Sequence, residues 1–251
     1  MSRTIWTRCG ATSSFRKLEG HFFRVVESQF KNSTRKLVDS DEEQAVLERL
    51  IDTAKNPVPQ GFEALHYLLY TPFRHPPLRN GSRFGSRFDR GILYGARTTA
   101  CALAEVAYYR LVFLEGTAAR LGEVTTELTA FRFGIKAARG VDLTAAPFNR
   151  YERNISSKTA YAQSQQLGAE MREAGTQAFL YVSARAEGRE IALGVFESVF
   201  SPRRPSDERL WRCTASCDKV ELHLNRLLEE ERHTFPRAQF LVDGALPAPA
   251  I

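Results

Sequence analysis

The apolar stretch ACALAEVAYYRLVFL at residues 100–114 constrains the fold more than any other part of the sequence. At about 100° per residue, its apolar side chains cover nearly every side of a helix. Such a helix is buried, so we expect its carboxylate, Glu105, in the interior or on the wall of a cleft. A buried carboxylate without a partner is costly, and the arginines just upstream are the expected partners.

Those arginines belong to the segment RNGSRFGSRFDRG at residues 79–91, which holds four arginines and three glycines. The segment lacks the Gly-Lys-Ser/Thr ending of a phosphate-binding loop and the GxGxxG of a dinucleotide-binding fold. The sequence also contains no GxSxG nucleophile motif. Because the histidines and the four cysteines show no metal-ligand spacing, the sequence predicts no metal site.

Strand and helix patterns are mixed along the chain without a regular βαβ repeat. This mixture predicts an α+β fold with mixed, mostly antiparallel sheets and flanking helices. The expected strands are at residues 21–30, 91–96, 124–135, 178–185 and 190–200, and the expected helices at 39–54, 100–114 and 157–174. Ser40 with Glu43 predicts a capping box for the first helix, and Thr98 or Thr99 is expected to cap the second.

Other segments are expected to be irregular. Residues 71–81 contain three prolines that disfavour regular structure, and residues 201–210 are predicted to be a loop. The resulting organisation is an irregular segment at residues 1–20, a single domain at 21–240 and a loose tail at 241–251.

The formal net charge of +6 suits a chain that meets phosphates, whether in nucleic acid, in a nucleotide or on another anionic partner. No aromatic-basic repeat of the RNA-recognition type occurs in the sequence. No window approaches 18 uncharged apolar residues, and the N-terminus carries no apolar run. We therefore expect neither a membrane span nor a signal peptide, and we expect a cytoplasmic location.

Two blocks of the sequence, GSRFGSRFDRGILYGARTTACALAEVAYYR and YAQSQQLGAEMREAGTQAFLYVSAR, resemble the RES-domain family, named for an arginine, a glutamate and a serine. The resemblance is clearest over residues 80–200. The loop departs from the family's Gly-Gly-Arg-Trp-Asn type of block because it holds two Ser-Arg-Phe units. The motif arginine is therefore Arg83 or Arg87, and Arg83 is favoured by its position after Gly-Ser.

The resemblance implies a fold similar to ADP-ribosyltransferases and a toxin that consumes NAD, usually partnered by an antitoxin that occludes the active site. Members of the family are described as NAD phosphorylases, NAD hydrolases or ADP-ribosyltransferases. The implied substrate is NAD, with inorganic phosphate or water as acceptor and no prosthetic group. Contact with nucleic acid is expected only through the antitoxin.

The chemistry of NAD cleavage is compatible with a single carboxylate. Positive charge develops on the ribose while a neutral nicotinamide leaves, so no general acid is needed. The resemblance implies that the carboxylate stabilises this charge, the arginines hold phosphates, the tyrosine stacks on nicotinamide and the serine fixes the ribose or the nucleophile. The implied catalytic residues are Glu105, Arg83 and Ser183, and the implied binding residues are Tyr94, Arg24, Arg87 and Arg185.

The sequence leaves other functions open. The chain could transfer ADP-ribose to a protein target, or bind NAD without cleaving it. It could also be a non-enzymatic basic module whose loop binds the phosphates of a nucleic acid. In that case Arg83 and Glu105 would form only a structural ion pair.

Overall fold

The long strand β3 (Val124–Asp142) organises the sheet in a computed structural model that describes residues 4–28, 38–54, 56–75, 79–119, 121–224 and 230–248. The other strands are β1 (Arg16–Glu27), β2 (Leu93–Ala96), β4 (Ala178–Val182), β5 (Ile191–Val195), β6 (Ser206–Ala215), β7 (Lys219–Leu224) and β8 (Arg232–Pro236). They form one sheet in the order β1-β2-β5-β4-β3-β6-β7-β8, in which only β3 and β4 pair in parallel. The predicted α+β fold with mostly antiparallel pairing is confirmed.

Strand β1 closes part of this sheet into a ring. It pairs with β3 from Arg16 to Glu27 and also meets β2, so β1, β2, β5, β4 and β3 follow one another in a closed circuit. The pairing of β1 with β2 consists of one residue pair, Phe23 with Ala96. Beside this pair, the Arg24 Nη1 donates to the carbonyl oxygen of Tyr94 at 2.6 Å. The ring is therefore weakest between β1 and β2, where an arginine side chain takes the place of further ladder bonds.

Six α-helices surround the sheet in the described part of the chain: α1 (Ile5–Arg8), α2 (Asp41–Ala54), α3 (Tyr67–Arg74), α4 (Thr99–Gly116), α5 (Glu152–Ile155) and α6 (Ala162–Glu173). Helix α4 packs against β6, β7 and β8 in one apolar cluster around Tyr108 and Trp211. Helix α3 packs in a second cluster with residues of the strand ring. The N-terminal helix and α6 share a third cluster with Phe84 and Phe179.

The predicted helix starts are confirmed for α2 and α4. Ser40 Oγ accepts from the Glu43 backbone N–H at 3.1 Å, and Thr98 Oγ1 accepts from the Cys101 N–H at 3.1 Å. Helix α2 nevertheless leaves much of its apolar stripe in solvent, since Val46 is 52% exposed and Leu50 is 62% exposed. The helical spacing of the apolar residues therefore predicts the helix, but it does not predict that the helix packs against the core.

Several predicted boundaries were wrong. Residues 1–20 were expected to be irregular, but they contain α1 and the start of β1. Helix α6 begins at Ala162 instead of 157, because the Ser157 hydroxyl accepts from the N–H groups of Thr159 and Ala160 and forms a turn. Strand β3 runs seven residues past the predicted end at 135. Residues 29 and 30 of the first predicted strand lie outside the described residues.

Three segments predicted to be irregular are also ordered. Helix α3 continues through Pro72 to Arg74, although residues 71–81 were expected to be extended. Strand β6 starts at Ser206, inside the predicted loop 201–210, because it pairs with β3. The tail beyond residue 241 is not loose in its described part, because the Tyr108 hydroxyl donates to the carbonyl oxygen of Pro247.

Candidate active site

A cavity of about 240 Å³ opens where β1 and β2 separate, beneath helix α4. Strand β1 contributes Phe23, Arg24 and Val25, strand β2 contributes Tyr94 to Ala96, and α4 contributes Glu105 and Tyr109. The loop before β2 adds Arg83 to the wall. The structure thus brings four of the residues predicted from the sequence, Arg24, Arg83, Tyr94 and Glu105, into one cavity.

Glu105 receives a hydrogen bond from a serine rather than an ion pair from the upstream loop. The Ser183 hydroxyl donates to Glu105 Oε1 at 2.6 Å. The hydroxyl oxygen of Ser183 accepts from the N–H groups of Arg185 and Ala186, each at 3.1 Å, so the single hydroxyl proton is directed at the carboxylate. Ser183 is 5% exposed and does not line the cavity. Ser183 therefore holds Glu105 from outside the cavity. The expectation that an upstream arginine pairs with Glu105 was wrong.

Arg83 lies on the cavity wall with most of its side chain buried. It is 7% exposed, its Nη1 donates to the carbonyl oxygen of Ser157 at 2.7 Å, and its guanidinium lies 4.6 Å from the centre of the Tyr161 ring. Burial lowers the pKa of Arg83, but the neighbouring Tyr161, Tyr181 and Glu105 together raise it above the ordinary value. Arg83 is therefore a permanent positive charge inside the cavity.

The loop that carries Arg83 is held from two sides. The Tyr94 hydroxyl accepts from the Phe84 N–H at 3.1 Å and hydrogen-bonds to the Ser82 hydroxyl at 2.8 Å. From α6, the Gln165 amide donates to the carbonyl oxygens of Asn80 at 3.1 Å and Ser82 at 3.0 Å. These contacts fix the backbone on both sides of Arg83.

A glycine on α6 permits this close approach of helix and loop. A Cβ atom at Gly168 would lie 2.0 Å from the carbonyl oxygen of Phe84, so a larger residue would push the loop away from the helix. The two sequence blocks that carry the family resemblance are therefore in direct contact at this point.

The two other arginines proposed from the sequence are elsewhere. Arg87 is exposed, and its guanidinium lies 4.8 Å from the ring of Phe88, which is 84% exposed. Arg185 is buried over Tyr108, 3.5 Å from the ring centre, and its Nη2 donates to the carbonyl oxygen of Lys158. Neither side chain lines the cavity, so Arg83 is the loop arginine that the fold places there.

Arg24 and Tyr94 are both strongly influenced by burial. Burial lowers the pKa of Arg24 to about 10, and its Nε has no hydrogen-bond partner among the described residues. Burial raises the pKa of Tyr94 to about 12 against the opposing effect of its bond with Ser82. Tyr94 is thus a neutral hydrogen-bonding group at physiological pH, while Arg24 keeps its charge and a free donor.

Sequence reasoning assigned no role to three tyrosines of the cavity wall: Tyr109, Tyr161 and Tyr181. Tyr109 had a readable signal, because it follows Glu105 by four residues on the same helix and so shares its face. Tyr161 and Tyr181 come from α6's start and from β4, and only the tertiary fold brings them to Glu105. These rings line part of a cavity that also contains one carboxylate and two guanidinium groups.

The family model of the RES domain matches residues 59–215, which is more than half of the chain. This chain belongs to the RES-domain family. The matched part of this RES-domain protein contains Arg83, Tyr94, Glu105 and Ser183, whereas Arg24 precedes it.

A chain of the M. tuberculosis MbcT-MbcA toxin-antitoxin complex is similar to the RES-domain protein at 13% sequence identity. The similarity covers 85% of this chain and 92% of that chain, with a TM-score of 0.46. Among curated proteins, none matches the sequence.

The charged side chains of the RES-domain site, over the described ranges, are Arg24, Arg83 and Glu105. Within those ranges, no three His, Cys, Asp or Glu side chains are grouped so that they could hold a metal ion. Of the helices described, none combines the length and the hydropathy that a membrane span requires. The arrangement can bind anions through Arg24 and Arg83, and it can stabilise a cation that forms beside Glu105.

Proposed function

We propose that this RES-domain protein is a toxin that consumes NAD by breaking the bond between nicotinamide and ribose. The observation that carries the proposal is the single carboxylate of Glu105, which Ser183 holds on the wall of an aromatic cavity that also contains Arg24 and Arg83. ADP-ribose would be transferred to inorganic phosphate or to water.

The reaction needs no general acid. When the glycosidic C–N bond breaks, its electron pair returns to the nicotinamide ring, which was cationic and leaves neutral. The ribosyl carbon becomes positive and is attacked by an oxygen of phosphate or water, and water then loses a proton. Ordinary glycosidases use two carboxylates because their leaving group must be protonated. Here one carboxylate, Glu105, would stabilise the ribosyl cation from the cavity wall.

The phosphates of NAD would be held by the two guanidinium groups. Arg24 and Arg83 each use one nitrogen for a backbone carbonyl and retain other donors. The cavity of about 240 Å³ is smaller than the roughly 300–1,000 Å³ of typical small-molecule sites. It therefore suits the nicotinamide riboside half of the dinucleotide, with the phosphates near the arginines.

We also propose an antitoxin as the protein partner, as is usual in the family, and action in the cytoplasm. The antitoxin would cover the cavity mouth and would supply any contact with nucleic acid. Direct binding of nucleic acid is less well supported, because Arg83 is 7% exposed and faces the cavity instead of an open surface.

The decisive experiment incubates the purified protein with NAD, with and without inorganic phosphate, and identifies the products by mass spectrometry. We expect free nicotinamide together with ADP-ribose or its 1''-phosphate, and no release by Glu105→Gln. A variant that released nicotinamide at the wild-type rate would refute the role of Glu105. ADP-ribose found on a protein would favour the transferase alternative. Steep salt dependence of DNA or RNA binding, with NAD left intact, would favour the nucleic-acid module.

A further inference from the structure

Arg185 stacks on the helix that carries Glu105. Its guanidinium carbon lies 3.5 Å from the centre of the Tyr108 ring, and Tyr108 follows Glu105 by three residues on α4. Arg185 is 2% exposed, and its Nη1 has no hydrogen-bond partner among the described residues. The face of the Tyr108 ring therefore balances this part of the buried charge. Because a desolvated contact of this kind resists separation, it ties residue 185 to α4.

The backbone of Arg185 belongs to the turn that presents Ser183 to Glu105. The Arg185 N–H donates to Ser183 Oγ at 3.1 Å, and the Ala186 N–H does the same. The Ser183 hydroxyl donates to Glu105 Oε1 at 2.6 Å. Arg185 thus contacts α4 with its side chain and Ser183 with its backbone, so it spans the bond between Ser183 and Glu105.

Two further contacts hold Arg185 in this place. Its Nη2 donates to the carbonyl oxygen of Lys158 at 3.2 Å, and its own carbonyl oxygen accepts from the Gln239 amide at 3.3 Å. Gln239 lies outside residues 59–215, the part of the chain that the family model matches. The C-terminal part of this chain therefore contributes to the arrangement behind Glu105.

We infer that Arg185 is a positioning residue for Glu105. It fixes the turn of Ser183 against α4 and so limits the positions that the carboxylate can take. The inference rests on the proposed function and extends it from the cavity wall to a buried side chain that does not line the cavity. This role differs from the NAD binding that the family resemblance implies for Arg185, because a guanidinium buried over Tyr108 is not open to a ligand.

The kinetic experiment measures kcat and KM for NAD in Arg185→Met, which keeps an unbranched apolar side chain and removes the charge. We expect kcat to fall about tenfold, as for the loss of a buried cation–π contact, and KM to stay within about twofold. Arg185→Lys keeps a cation over the ring and should recover part of kcat. Arg139→Met is the matched control, because Arg139 also stacks on a ring, that of Phe15 at 4.8 Å, and donates to a backbone carbonyl oxygen. Arg139 does not line the cavity, so this variant should keep the wild-type kcat.

A double variant tests whether Arg185 acts through Ser183. In Ser183→Ala the hydroxyl that contacts Glu105 is already absent, so adding Arg185→Met should lower kcat by less than about twofold. A full tenfold loss in that background would overturn the inference. Wild-type kcat in Arg185→Met, or an equal loss in Arg139→Met, would do the same.

Amide hydrogen exchange tests the hold of Arg185 on the turn without any NAD cleavage. We expect the Ala186 N–H to exchange about tenfold faster in Arg185→Met than in the wild type. In the milder Gln239→Ala it should exchange about two- to fivefold faster, as for the loss of one neutral hydrogen bond. The Lys136 N–H, which donates to the carbonyl oxygen of Val199 at 2.8 Å, should be unchanged in both variants.

The exchange result separates the two hypotheses. Unchanged exchange of the Ala186 N–H in both variants, or an equal acceleration at Lys136, would refute the positioning role. If the wild type releases no nicotinamide while Ala186 exchanges faster in Arg185→Met, the proposed function fails and the hold of Arg185 on the turn stands.

Discussion

Replacing Ser183 by alanine removes one hydroxyl that makes three hydrogen bonds, and its effect on activity can be separated from its effect on stability. Under the proposed function, the bond that bears on catalysis is the 2.6 Å contact with Glu105 Oε1. Hydrogen bonds to charged groups contribute about 1.5–3 kcal/mol, and each 1.36 kcal/mol is about tenfold in rate. If Glu105 acts only when it is held in place, Ser183→Ala should lower kcat for NAD about 10- to 100-fold.

The same substitution should also lower the free energy of unfolding. The N–H groups of Arg185 and Ala186 lose their acceptor, and a buried donor left without a partner costs about 1–3 kcal/mol. Thr144→Ala is the matched control, because the Thr144 hydroxyl also donates to a carboxylate, that of Asp142, at 2.6 Å. Thr144 does not line the cavity, so its variant should be destabilised without loss of kcat.

The assay measures initial rates of nicotinamide release by chromatography, together with urea unfolding, for wild type, Ser183→Ala, Thr144→Ala and Glu105→Gln. Because Glu105→Gln is expected to release no nicotinamide, the double variant combines Ser183→Ala with Glu105→Asp and is compared with Glu105→Asp alone. It tests whether the serine works through the carboxylate. In that background we expect the serine substitution to change the rate little. Wild-type kcat in Ser183→Ala, or a fully additive loss in the double variant, would refute the positioning role.

Three further predictions concern the loop and helix α4. Arg83→Ala should lower kcat/KM for NAD about 100-fold, which is the loss expected when a charged donor to phosphate is removed. Arg87→Ala should keep kcat/KM within about twofold of the wild type. The opposite order would assign the site to the second Ser-Arg-Phe unit. Gln165→Ala should raise KM for NAD by releasing the loop that carries Arg83, and the neighbouring Gln166→Ala should not. Equal KM values in the two variants would contradict the role of Gln165 in holding the loop. Burial raises the pKa of Tyr108 to about 12 from its usual value near 10. The stability tied to its neutral hydroxyl is therefore complete below about pH 10 and is lost as pH rises towards 12, by about 2–3 kcal/mol in urea unfolding. In Tyr108→Phe, the free energy of unfolding should decline less steeply between about pH 10 and about pH 12. An unchanged slope would argue against a raised pKa for Tyr108.

Local signals predicted the central elements of the site well. Helix α4 and its Thr98 cap follow from a capping residue and an apolar run, and both act within a few residues of sequence. The position of Glu105 on a cavity wall follows from the apolar surroundings on that helix. The second Ser-Arg-Phe could not be told from the first in this way, because both have the same local chemistry. Only the contacts of the first unit with Tyr94 and α6 distinguish them.

Errors arose where distant contacts override local preference. Strand β6 contains residues predicted as loop because β3 supplies a pairing edge for it. The partner of Glu105 is separated from it by 78 residues, so no local pattern could choose Ser183 over a nearby arginine. Helix α2 shows a different limit of local patterns. Its apolar stripe correctly predicts a helix, but the described residues leave much of that stripe exposed.

The hydrogen bonds that Gln165 and Tyr94 make to the loop around Arg83 lower the entropy cost of binding a ligand there. Fixing the backbone of one residue costs about 1–2 kcal/mol of conformational entropy, and a glycine-containing loop loses more freedom than most. Gln165 and Tyr94 order the backbone around Arg83 while the chain folds, before any phosphate is present. If Arg83 binds a phosphate of NAD as proposed, the anion meets a preorganised guanidinium, and more of the interaction energy appears as affinity and as a fast association rate.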